Sequence, residues 1–285
     1  VKGNFRIKGI RTTNPVSVGD WVAVTPTGDD FFISAVEPRR NYIIRRASNL
    51  SKESHILASN IDMAILVCSI KEPVTTTTFI DRFLATAEAY NIPAKLLINK
   101  EDLWDADDRE YAEALKYLYT SIEYEVLFTS AATGEGMEAL TALLKDKLSL
   151  LAGNSGVGKS SIINRLVPGA NLRTGEISEL YHTGTHTTTF SEMLMLPVGG
   201  AVIDVPGVKG FGVIDFDKFQ VGHYFPEIFK HSSDCKYSDC RHRTEPGCAV
   251  VQALDQHLIA ESRYASYLSI LEEVEEQGEK YRKPF

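Results

Sequence analysis

Hydrophobic spacing changes period along the chain, and the changes mark its organisation. Up to about residue 57 the apolar positions alternate in short runs. Val16–Val24 alternates around Gly19-Asp20, and Phe31–Val36 and Tyr42–Ile44 are further short strands, separated by the polar turns 27–30 and 38–41. From Ile61 the pattern is different. Ile61–Cys68 is a near-continuous apolar run, as expected of a strand covered on both faces. Thr78–Tyr90 then places Phe79, Phe83, Leu84 and Ala87 at helical spacing. Strand (94–98), helix (107–119), strand (126–128), helix (135–148), strand (147–152) and helix (161–166) follow, with strands at 193–197 and 201–203. Strands and helices alternating at this length predict a three-layer α/β domain, with ligands at the carboxyl ends of the strands. Beyond 217 the spacing is helical, notably over 249–257 and 262–274, and the acidic tail 272–279 reads as a solvated helix end.

Composition narrows this picture little. The 285 residues have the apolar content of a globular protein, and no run approaches the ~20 residues of a membrane span. The N-terminal residues show no secretory pattern. A net charge of −8 argues against binding nucleic acid through bulk charge. The first 52 residues are the exception. Nine Lys/Arg, among them Arg39, Arg40, Arg45 and Arg46, stand against four acids, a footprint suited to an RNA backbone. Many short strands in so small a basic segment fit a barrel of the oligonucleotide-binding type.

The candidate chemistry falls at strand ends. Gly153, Asn154, Ser155, Gly156, Val157, Gly158, Lys159 and Ser160 match the phosphate-loop pattern G-x-x-x-x-G-K-[ST], between a strand and a helix. Backbone N–H groups of such a loop wrap phosphates, helped by the positive end of the following helix, which begins with Ser161. Lys159 reaches the β- and γ-phosphates in this reading, and Ser160 coordinates Mg²⁺. Asn99-Lys100-Glu101-Asp102 matches the guanine reader N-K-x-D. Its Asp102 carboxylate can accept hydrogen bonds from both N1–H and the 2-amino group, and adenine lacks that donor pair. Ser130-Ala131 follows the next strand as a second base-contacting loop. Asp204-Val205-Pro206-Gly207 matches D-x-x-G, with Asp204 holding Mg²⁺ through water and the Gly207 N–H sensing the γ-phosphate.

Between these motifs lies Thr185-His186-Thr187-Thr188-Thr189, where the first switch belongs. Thr188, with Thr187 as fallback, is the expected third Mg²⁺ ligand. The residue after Gly207 is Val208, which cannot hydrogen-bond the attacking water. His186 is therefore the expected water-positioning residue, against the alternative of a surface loop histidine, and intrinsic hydrolysis is expected to be slow. Near the end, Cys235-x₄-Cys240-x-His242-x₅-Cys248 supplies a full tetrahedral set for structural Zn²⁺. A reduced cysteine cluster without metal is the alternative. Cys68, inside an apolar strand, reads as packing.

The base reader precedes the phosphate loop, the reverse of the usual order, so the domain is circularly permuted. The order N-K-x-D, S-A, G-N-S-G-V-G-K-S, H-T-T-T, D-V-P-G and Cys-x₄-Cys-x-His-x₅-Cys resembles the bacterial small-subunit-dependent, circularly permuted GTPases of the RsgA-like (YjeQ) family. Val18-Gly19-Asp20, Pro38–Asn41, Ala58–Asp62, Glu176-Ile177-Ser178 and Glu245–Cys248 extend the likeness over essentially the whole chain. The resemblance implies three domains: an oligonucleotide-binding barrel (1–57) for RNA or ribosome binding, the permuted GTPase (58–217) and a helical zinc domain (218–285). It also implies a cytoplasmic factor, read as a monomer without membrane attachment. Such a factor hydrolyses GTP to GDP and phosphate with Mg²⁺, binds 16S rRNA and acts late in 30S maturation, stimulated by the small ribosomal subunit. Two other readings stand beside it: a GTP-dependent RNA-binding switch whose hydrolysis is incidental, and a P-loop ATPase or nucleotide kinase, against which Asp102 argues. Three departures are visible. The family's barrel has strands upstream of Val1, so the barrel is expected to be incomplete in this sequence. Position 101 of the base reader is Glu, and Val205 stands where the family usually has Thr.

Overall fold

The structure, a computed structural model, describes residues 15–28, 30–46, 54–172, 191–205 and 216–280. Two antiparallel hairpins come first: β1 (Val22–Thr27) with β2 (Asp30–Val36), and β3 (Tyr42–Arg46) with β4 (Ser54–Ser59). The Gly19-Asp20 turn expected within 16–24 is present in residues 15–20, and β1 begins after it at Val22. The Asp20 carboxylate accepts the Ser17 N–H at 2.9 Å, and such local capping competes with a ladder. Strand β4 escapes the sequence pattern because its apolar centre is short. Its Leu57 and Ala58 nevertheless join Ile43 in the same core as the α/β domain.

That domain is a six-stranded sheet ordered β7-β6-β5-β8-β10-β9. Its strands are β5 (Met63–Cys68), β6 (Ala94–Ile98), β7 (Glu125–Phe128), β8 (Leu148–Gly153), β9 (Glu192–Met195) and β10 (Ala201–Asp204). All are parallel to their neighbours except β9, which runs antiparallel to β10. Every residue of β5 is buried, and successive side chains go to opposite layers. Ala64 and Leu66 pack under α1 (Thr77–Ala89) and α2 (Ala106–Thr120) with Phe83 and Leu115. Met63, Ile65 and Val67 pack with Leu140 of α3 (Met137–Leu144) and Ile162 of α4 (Lys159–Leu166). Truncating one such core leucine to alanine costs about 2–5 kcal/mol.

Helix α3 is shorter than the 135–148 pattern predicts. It stops at Leu144 because Leu148 is claimed by the sheet, where its N–H donates to the Asp62 carboxylate at 2.8 Å. The strand order reverses direction between β5 and β8, which opens a crevice at their carboxyl ends.

The C-terminal part contains α5 (Pro226–Ser232), α6 (Ala249–Asp255) and α7 (Glu261–Lys280) around Phe225, Ile228, Val250, Tyr267 and Leu271. Ala85 of α1 belongs to this core, so the helix joins both parts. A buried ionic cluster reinforces the junction. Arg263 of α7 donates to both carboxylate oxygens of Glu227 at 2.6 and 3.1 Å, and to Asp81 of α1 at 2.9 Å. Its guanidinium also lies over the Phe225 ring. Burial pushes the Asp81 carboxyl up, against the opposing pull of Arg263. The acidic tail is less solvated than its composition predicts, since Glu273 pairs with Arg82 and Glu275 with Arg241 and Arg243.

Candidate nucleotide and metal sites

The parallel register brings the strand ends level. Gly153 pairs with Val67, Asp204 with Leu151, and Ile98 with both Cys68 and Phe128. The segments that follow therefore leave the sheet on one edge. Asn99 ties three of them together. Its amide N–H donates to the Val157 carbonyl of the phosphate loop at 2.8 Å, and its Oδ1 accepts the Ala131 N–H at 3.0 Å and the Thr129 hydroxyl at 3.3 Å. Asn99 is 1% exposed, so an unpaired amide there would be costly. Gly158 lies against it, with φ +94°, and a Cβ at that position would sit 2.2 Å from Asn99 Nδ2. Only glycine allows that approach in that backbone conformation.

Asp102 is exposed at the sheet edge and accepts a hydrogen bond from the buried Ser130 hydroxyl. Lys100, in the left-handed region, donates to the Glu72 carbonyl. The loop 69–75 had no signal in the sequence, yet it covers the phosphate loop. Pro73 Cδ lies 3.3 Å from where a Gly156 Cβ would be. Helix α4 opens directly from Gly158 with no side-chain cap, which leaves its first N–H groups for another acceptor. Gly153, Asn154, Ser155, Gly156 and Val157 lead into it, and Lys159, Ser160 and Ser161 form its first turn. The Lys159 ammonium is ion-paired with Asp204 from the adjacent strand β10. Of the expected site residues, His186, Thr187, Thr188, Gly207 and Val208 lie outside the described residues.

Oxygen donors at the mouth of the crevice, Ser160 and Asp204, have the hard-ligand chemistry that Mg²⁺ takes.

The cysteine segment forms a compact site. The ligand atoms of Cys235, Cys240, His242 and Cys248 all lie within 4.8 Å of one another. Cys235 Sγ and Cys248 Sγ are 3.9 Å apart, and each is 3.5 Å from His242 Nδ1. Tetrahedral Zn²⁺ with ordinary bond lengths separates its ligand atoms by about 3.5–3.8 Å, so the donor set fits. Burial pushes the Cys240 thiol up to about 12 and raises Cys248, and it lowers His242. Buried thiolates thus need a cation nearby, and a neutral imidazole suits a ligand. Glu245 braces the turn by accepting the N–H groups of Arg241, Arg243 and Thr244 at 2.7–3.1 Å. The Tyr264 and Tyr267 hydroxyls donate to the carbonyls of His242 and Arg241. Cys68 is buried and forms no part of this cluster, as a packing residue should.

The family model for the RsgA GTPase matches residues 36–214, which holds every strand of the nucleotide sheet. The chain belongs to the RsgA GTPase family. Members are GTPases, so this chain hydrolyses GTP. The small ribosomal subunit biogenesis GTPase RsgA of Porphyromonas gingivalis strain W83 is 57% identical over 290 residues, covering 100% of this chain and 91% of that protein. The protein of the same name from Bacteroides fragilis strain ATCC 25285 is 56% identical over 286 residues, covering 100% and 92%.

Among solved structures, YjeQ from Thermotoga maritima superposes with a TM-score of 0.76 at 36% identity, covering 96% of this chain and 88% of that one. YloQ, described as a circularly permuted GTPase, gives 0.71 at 30%, covering 98% and 87%. The RsgA fold here is thus a permuted α/β P-loop GTPase with an N-terminal β part of the oligonucleotide-binding type. A C-terminal helical part carries the zinc-fitting cluster. The connection from the base-reader half to the phosphate loop runs from α3 to β8, which pairs in parallel with both β5 and β10.

Among the described residues, no helix is long and apolar enough to cross a membrane.

Proposed function

We propose that this chain is a cytoplasmic GTPase of late 30S maturation, stimulated by the small ribosomal subunit, working as a monomer on 16S rRNA. The observation that carries the reading is the Asn99 tie, which holds the base-reader loop, the Ser130–Ala131 loop and the phosphate cradle in one arrangement. The names of the relatives supply the ribosomal half. In this reading Asn99, Lys100, Asp102, Ser130 and Ala131 hold guanine, and 153–161, Asp204 and Gly207 hold the phosphates. N–H groups of the cradle and Lys159 stabilise charge gathering on the phosphoryl oxygens as the bond to the leaving phosphate breaks. Lys159 must exchange its Asp204 partner for phosphate when GTP enters. His186 orients the attacking water, since Val208 has no polar group to do so.

Mg²⁺, held by Ser160, Thr188 and Asp204, neutralises phosphate charge when bound. Zn²⁺ at Cys235, Cys240, His242 and Cys248 is structural, with no position left for catalysis. Domain limits of 1–57, 58–217 and 218–285 fit this division of labour.

The N-terminal part is the RNA-facing element, with Trp21 and Phe31 exposed for stacking. Its basic charge is partly used internally. Arg39 is paired with the fully buried Asp20 carboxylate, and Arg40 reaches Asp62.

GTP turnover measured with small subunits, large subunits and neither tests the proposal. Small subunits should accelerate hydrolysis on the order of 10²-fold or more, and His186→Ala should remove most of that gain. Equal acceleration by large subunits would refute the ribosomal assignment, and a fully stimulated His186→Ala would refute the role of the histidine.

A further inference from the structure

Arg165 sits in the last turn of α4, the helix that the phosphate loop opens into. A basic side chain in a last turn ordinarily serves the carbonyls of its own helix. This one serves a different loop. Its Nε donates to the Ala131 carbonyl at 2.6 Å and its Nη2 to the Ala132 carbonyl at 2.7 Å. Gly134, with φ +97°, closes the loop around the same group, and a Cβ there would lie 2.6 Å from Arg165 Nη1. The inner side of this loop carries base-reading contacts. Ser130 donates its hydroxyl hydrogen to Asp102 and accepts the Thr133 N–H at 3.0 Å on the same oxygen, while the Ala131 N–H donates to Asn99. One guanidinium therefore fixes the outer carbonyls of a segment whose inner groups orient Asp102 and Asn99.

We infer that Arg165 is a positioning residue for guanine specificity. It holds the 130–134 loop so that the Asp102 carboxylate meets N1–H and the 2-amino group together. The inference rests on the nucleotide-site reading above. Its consequence falls on base discrimination, because the phosphate cradle runs directly out of β8, which is laddered to β5 and β10 on its two sides. Guanine presents two donors to Asp102 and hypoxanthine only one, so a misaimed carboxylate costs GDP more than IDP.

The test is equilibrium titration of GDP and IDP against the full chain and its Arg165→Ala, Arg165→Lys and Asp102→Ala variants. Arg165→Ala should raise the Kd for GDP about tenfold and that for IDP at most about threefold. Arg165→Lys should recover part of the GDP–IDP difference, because an ammonium can serve one carbonyl but lacks the planar fork for both. Arg165 is exposed, so melting temperature should hold in both variants. Equal losses for GDP and IDP, or a GDP affinity within about twofold of the unsubstituted chain, would overturn the proposal. Asp102→Ala separates the two levels. If it erases the GDP–IDP difference while Arg165→Ala does not, only the role of Arg165 falls. If it preserves the difference, the base-reader assignment falls as well.

Discussion

Asn99 and Val157, 58 residues apart in the chain, meet through a 2.8 Å hydrogen bond, whereas Cys235 and Cys248, at the two ends of the metal site, are 13 residues apart. The two sites hold their donors in place by different means. The nucleotide site is a product of strand register. Its loops are level because Gly153, Ile98, Phe128 and Asp204 end strands of one parallel ladder, and the central strands β5, β8 and β10 are almost wholly buried. The metal site is local. A segment braced by Glu245, two tyrosine hydroxyls and a small core brings Cys235, Cys240, His242 and Cys248 together, and burial raises the Cys240 and Cys248 thiols. A long-range site inherits the stability of the core beneath it, whereas a local cluster of thiols and an imidazole has little core of its own and would gain most from a bound cation.

Removing the ion should break this contrast open most widely. Chelation at neutral pH withdraws binding energy on the order of 10 kcal/mol from the C-terminal part. Helical signal from α5 and α6 should fall while the affinity for GDP stays within about threefold of the untreated protein. A parallel loss of nucleotide binding would show that the two sites share one cooperative unit.

A smaller effect is expected at the junction between them. Arg263→Ala leaves Asp81 and Glu227 buried without their cation, at a cost of about 3–5 kcal/mol. Denaturant midpoints should drop accordingly. If the drop appears in the helical part alone, α1 does not transmit it to the sheet.

The smallest effect is acid sensitivity at the N-terminal contact. Burial raises the Asp20 carboxyl, but the Arg39 guanidinium, Ser59 hydroxyl and Ser17 N–H outweigh it and hold the group below the usual carboxylate range. With the folded value depressed, this stabilisation is fully present above the unfolded value of about 3.9 and is lost as pH falls through the folded one. Melting curves should be insensitive to Asp20→Asn below that range and destabilised by it at pH 7. Equal effects at both pH values would exclude the charge as the cause.

Legibility differed with the same geometry. The candidate phosphate loop, base reader and cysteine set stand out in the sequence because each packs its residues into a few positions of fixed spacing. Strands β5 and β8 were readable because burial on both faces demands an unbroken apolar run. Strand β4 and the 69–75 cover were not, since short segments carry no period. The turn at Gly19-Asp20 is legible in 16–24, where Asp20 caps Ser17. The helical pattern over 135–148 runs past the end of α3 because only the ladder from Leu148 to Ala201 claims that residue for the sheet.

Local sequence by itself determined which groups could bind phosphate, guanine and zinc, and that their order is permuted, because these properties reside in side-chain type and spacing along one stretch of chain. Tertiary structure alone decided that Asn99 would clasp the cradle, that Arg165 would reach across to Ala131 and Ala132, and that Arg263 would be buried between Asp81 and Glu227. Each of those contacts joins residues from separate elements, and only strand register and helix packing set the distance between them.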